Sequence, residues 1–152
     1  MATKFARLKP TKPIGEVEVD YTFWDLEDEP VLTVRTIADP NKDYRNAMMA
    51  RANQSRRRVK GNRRDDAAAM DRLQHDLDME IFPKYVITGW KGVKEDSGKE
   101  SEFKEANVRD FLIAIDEIGL FSDLRAFCAT VTNFMDVDVP DPDELAGNLP
   151  PA

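Results

Sequence analysis

Few residues in this chain have the types that carry chemistry, and none has the company that chemistry needs. His75 is the only histidine. A serine or cysteine nucleophile would need it as a base, but the stretch LQHDLD sets it on a helix face beside an apolar stripe. A packing or surface histidine is the simpler reading there. A lone imidazole also excludes a multi-histidine metal site. Cys128 is the only cysteine, so no internal disulfide framework is available. Its neighbours place it on an apolar helix face as a small hydrophobe, with no His or Asn set to activate it. Gly89, Gly92 and Gly98 form neither a dinucleotide fingerprint nor a P-loop. The run EDSGKE lacks the alternating carboxylates and closing glutamate of a calcium loop. No catalytic residue, cofactor or metal is expected, and the chain reads as non-enzymatic.

Charge is the other candidate. Residues 51–64, RANQSRRRVKGNRR, carry seven basic residues and no acid. The net charge is −7 overall and +7 in this block, so the rest of the chain carries −14. Arg56, Arg57, Arg58, Arg63 and Arg64 could neutralise phosphates near a helix end. No aromatic residue interleaves them to stack on bases, and the acidic remainder would repel a duplex. An acidic protein surface, or the chain's own acidic tail, suits this block better. Nucleic-acid association through these arginines stands as the runner-up function.

The elements that must position these residues follow from periodicity. Residues 1–15 contain Pro10, Pro13 and Gly15 and read as an extended arm. Val17, Val19, Tyr21 and Phe23 alternate with polar residues, and VLTVRTI follows a proline-closed acidic turn. Together they predict a β-hairpin over 16–37. Asp39 and Pro40 predict a helix start, with the helix running over about 40–58. Met70, Leu73, Leu77, Ile81 and Tyr85 form one stripe of a long helix over 66–88, kinked or broken at Pro83. Val108, Phe111, Leu112 and Ile115 predict a helix over 105–115, and Leu120 to Met135 another over 120–135. The tail, 136–152, holds four prolines and five acids and is expected to be flexible. The fold class is therefore α+β, mostly α: an N-terminal hairpin, about four helices, and one domain over 16–135. No apolar run is long enough to span a membrane, and MATKFARLKP lacks a signal core, so a soluble intracellular protein is expected.

One stretch is more specific. Residues 81–112 run IFPKYVITGWKGVKEDSGKESEFKEANVRDFL. The order is helix, GWKGV, the charged turn DSGKE, a phenylalanine, EANV and an apolar helix. This resembles the tail assembly chaperones of long-tailed bacteriophages. LRAFCATVTNFM looks like the continuation, and the hairpin followed by DP…YRNAM fits the same layout. Two departures stand out. Lys104 occupies the place of a capping Ser or Thr, which leaves Ser101 as the candidate cap, and Ala106 separates Glu105 from Asn107.

The resemblance implies a helical protein that keeps a tape measure protein soluble, helps recruit tail tube subunits and self-associates. It implies work in the host bacterial cytoplasm and absence from the mature virion. Many such chaperones have a second, frameshifted form, and the acidic tail is where such an extension could begin. On this reading Phe111, Leu124, Phe127, Phe134, Met48 and Met49 are candidate partner-binding residues, on a face shared by the last two helices and the hairpin. Trp90 and Phe103 are candidate structural anchors, with Trp90 closing the long helix and pinning the turn. A permanent head–tail or tail component of the virion would use the same surfaces.

Overall fold

The computed structural model describes residues 13–58 and 66–135. A single turn of 3-10 helix at Ile14–Glu16 leads into strand β1 (Val19–Thr22), which pairs with β2 (Val31–Val34). Two helices follow, α1 (Lys42–Arg58) and α2 (Asp66–Tyr85). Strand β3 (Ile87–Lys91) returns to the sheet, and α3 (Glu105–Glu117) and α4 (Phe121–Ala129) complete the fold. The described residues thus form four α-helices and one three-stranded antiparallel sheet, in the order β1-β2-β3.

The alternation of apolar and polar residues sets the register. Val19 faces Val34 and Tyr21 faces Leu32, while Leu32 also faces Trp90. These side chains share one face, because strand side chains alternate. The opposite face carries Asp20, Thr33 and Gly89, and Thr33 Oγ1 donates to Asp20 Oδ1 at 2.9 Å. Edge-to-face rings join the inner face to the helices. Tyr21 meets Phe127 at 5.0 Å, Phe23 meets Phe111 at 5.6 Å, and Trp90 meets Phe111 at 5.8 Å between centroids. Phe82 of α2 meets Phe121 of α4 at 5.2 Å. Such geometry adds a modest attraction to the burial of large apolar area.

Several sequence expectations need correction. The long helix ends at Tyr85, and residues 87–91 form the third strand. The β-branched run Val86-Ile87-Thr88 favours that strand, but its partner β2 lies more than 50 residues upstream and is invisible to local periodicity. Pro83 falls in the last turn of α2, which runs on for two more residues, so it breaks nothing before that end. α1 begins at Lys42, and its cap is Asn41 rather than Asp39: the Tyr44 amide donates to Asn41 Oδ1 at 3.2 Å. Lys104 occupies the N-cap position of α3 without a side-chain cap, and Ser101 belongs to the preceding loop. The last helix stops at Ala129, and a short 3-10 turn over Val131–Phe134 tucks Phe134 into the core. The arm over 1–12 and the tail over 136–152 lie outside the described residues.

Two polar hubs tie these elements together. Asn41 is fully buried, and its side chain makes four hydrogen bonds. Its Nδ2 donates to Thr36 O at 2.8 Å and to Tyr85 O at 3.1 Å; its Oδ1 accepts from the Tyr44 amide and from Arg35 Nη2. It therefore satisfies the C-terminal end of α2 and the N-terminal end of α1 at once. Asp78, also buried, accepts from Tyr44 Oη at 2.7 Å, Arg125 Nε at 2.7 Å and Gln74 Nε2 at 3.4 Å. One carboxylate thus joins α1, α2 and α4. Burial and the adjacent Asp78 charge push the Tyr44 phenol well above its usual range. Burial works against the Arg125 charge, but the hydrogen bond and charge of Asp78 outweigh it and raise the guanidinium further.

Candidate functional site

The stretch after β3 builds the most distinctive surface. Gly92, at φ 69°, turns the chain out of the strand, and Lys94 bridges to Glu100 to form a small hairpin. The Glu95 amide donates to Lys99 O and the Ser101 amide to Val93 O, both at 2.8 Å. Trp90 locks this hairpin to the sheet: its indole Nε1 donates to Ser101 O at 3.1 Å. Phe103 then meets the Trp90 ring edge to face at 5.5 Å. Between them lies an open groove of about 370 Å³. The apolar Trp90, Val93 and Phe103 line it together with Lys91, Glu100 and Ser101. Val93 is buried, whereas Phe103 keeps 41% of its surface exposed.

A second exposed ring stands at the same end of the sheet. The β1–β2 connection spans residues 23–30, and Trp24 within it is 74% exposed. The register brings this connection beside the hairpin, since Val31 pairs with both Thr22 and Lys91. Lys94 Nζ reaches Asp28 Oδ1 at 3.3 Å. Gly92 lets the two loops approach, because a Cβ there would sit 3.3 Å from Asp28 O. Asp28 and Glu29 both adopt left-handed backbone, at φ 66° and 43°, a conformation that non-glycine residues seldom hold. The arrangement can grip an apolar side chain beside charged groups.

The structure scatters the residues proposed from sequence for partner binding. Leu124 and Phe134 are buried in the core, so this fold offers neither to a partner. Phe111 and Phe127 are half-buried, with their rings against Phe23, Trp90, Tyr21 and Phe134. The face shared by the last two helices and the hairpin is therefore the core itself, since the sheet covers it. Met48 packs against that core, while Met49 is 52% exposed. Trp90 is a strand residue rather than the end of a helix. Arg56, Arg57 and Arg58 lie in the last turn of α1; their side chains, and Arg63 and Arg64 entirely, lie outside the described residues. Arg51, from the same block, pairs with Glu80 at 2.7 Å.

His75 faces Asp116 at 2.9 Å and packs on Phe121. Burial raises the Cys128 thiol to about 12, far from a nucleophile's range. Among the described residues, no cluster of three or more His, Cys, Asp or Glu is placed to hold a metal ion. None of their helices is long and apolar enough to cross a membrane. Sequence reasoning overlooked Trp24 and the groove. Trp24 carries a signal, a large aromatic followed by four acids within five residues, but it stands at the end of the alternating stretch that reads as the first strand.

A family model described as YdaY prophage protein matches residues 39–142. No curated protein and no solved structure matches the chain.

Proposed function

From the premise that the chain belongs to the YdaY prophage protein family, and so is phage-derived, we propose that it is a non-enzymatic tail assembly chaperone. It binds apolar segments of the tape measure protein, keeps them soluble and helps recruit tail tube subunits. The observation that carries this reading is the aromatic groove formed by Trp90, Val93 and Phe103 with Trp24 at the same end of the sheet. The residues that carry the resemblance to tail assembly chaperones are the ones that build this groove. An amphipathic helix presents apolar side chains at intervals of three and four, and a shallow apolar groove with a charged rim can take one at a time. Such contacts release readily, as a chaperone requires. The protein acts in the host cytoplasm and leaves before the virion matures.

Co-expression with the tape measure protein of the same phage tests this function. The soluble fraction of that protein should rise several-fold; an unchanged fraction contradicts the reading. Mass spectrometry of purified particles should find the chaperone missing. Its presence at structural stoichiometry would instead make it a virion component.

A further inference from the structure

The outward face of α3 has a pattern that its packing does not explain. Val108, Leu112 and Ile115 point into the core. Ala106, Arg109, Asp110 and Ile113 lie on the opposite side, at the i, i+3, i+4 and i+7 spacing of a single helix face. All four are exposed, Ile113 by 40%. With Glu105 they line a shallow, open depression of about 600 Å³. Neither Arg109 nor Asp110 has an ion-pair partner among the described residues.

We propose that this face is a two-fold interface in which α3 packs antiparallel against α3 of a second copy. The occupant is argued from complementarity. An axis passing between residues 109 and 110 sets Arg109 opposite Asp110 of the second copy, and Asp110 opposite its Arg109. The same axis sets Ala106 opposite Ile113 of the second copy, so a small side chain meets a large one on both sides of the centre. A two-fold contact demands this self-complementarity, in which residue i meets j and j meets i. α3 has 13 residues and is about 20 Å long, so the contact is small and the dimer reversible, with Kd on the order of 10 µM. This gives a surface to the self-association implied for the proposed function. It is tested on the purified chain alone, so its failure leaves tape measure binding untouched.

The test is sedimentation velocity on the full chain at about 100 µM, well above that Kd. The wild type should sediment mainly as a dimer. Arg109→Asp places two acids opposite two acids, and Asp110→Arg places two bases opposite two bases. Each variant alone should sediment mainly as a monomer, its Kd weakened at least about a hundredfold by two like-charge contacts. An equimolar mixture of the two restores both opposite-charge pairs and should sediment as a dimer. Recovery in the mixture cannot arise from unfolded chains. A monomeric wild type, a single variant that dimerises like the wild type, or a mixture that stays monomeric overturns the proposal.

Discussion

At the residue scale, stability rests on two buried polar side chains that local sequence does not single out. Asn41 occupies the third place in the run Asp39-Pro40-Asn41, where either polar residue could cap α1. Tertiary partners decide it: Thr36 O and Tyr85 O need the two amide donors that only Asn41 brings. Asn41→Ala leaves both carbonyls buried without those donors and removes the cap. The expected loss is about 3 kcal/mol by urea denaturation. Tyr44 gives a pH prediction. Its native pKa is raised above the ordinary 10.0, so the folded state keeps a proton that the unfolded chain sheds. That contribution is whole below pH 10 and is lost as pH climbs above it. Cys128 adds a loss that begins near pH 9 and is complete by about 12, and Tyr21 shifts in the same direction. Alkaline melts of Tyr44→Phe should therefore start about 1 kcal/mol lower at pH 7 and fall less steeply above pH 10. An unchanged alkaline slope would show that Tyr44 ionises freely in the native state.

At the scale of elements, close backbone approach and one tryptophan hold the sheet to its neighbours. Gly15 lies flush against the entry to α1, where an added Cβ would come within 2.0 Å of Pro40 O. Gly15 O also accepts from Arg35 Nε at 2.7 Å. Gly15→Ala must push the N-terminal turn away, and a cost of about 2 kcal/mol should appear as a lower Tm. Trp90→Ala removes two ring contacts and the bond to Ser101 O, so a loss of about 3 kcal/mol is expected. Hydrogen exchange should then rise first in residues 92–101, which depend on that bond.

The last three helices and the first hairpin were legible because each carries its own period, 3.6 or 2, within a short window, and α1 was legible from the start signal Asp39-Pro40. β3 was not, because its five residues continue the apolar run of α2 and declare themselves only by pairing with β2. The groove was hidden for the same reason. Trp90 and Phe103 are close in sequence, but a strand followed by a hairpin brings their rings together. The apolar residues of α4 were legible as apolar, yet periodicity alone cannot say whether a stripe meets the core or a partner.

At the scale of the whole molecule, a small and strongly charged chain presents the exposed rings of Trp24 and Phe103 at one end of the sheet. In the proposed function, the charge serves to keep it soluble while those rings engage apolar chain. Membership of a prophage family places this surface in the life of a phage, and the aromatic groove suits capture of apolar helices. The most direct measurement is the soluble fraction of the tape measure protein co-expressed with the wild type and with Phe103→Asp. Phe103 is 41% exposed, so the variant should keep its fold, which circular dichroism can check. The wild type should keep the tape measure protein soluble, and folded Phe103→Asp should lose most of this effect. Equal solubilisation by the two proteins would contradict the proposed function.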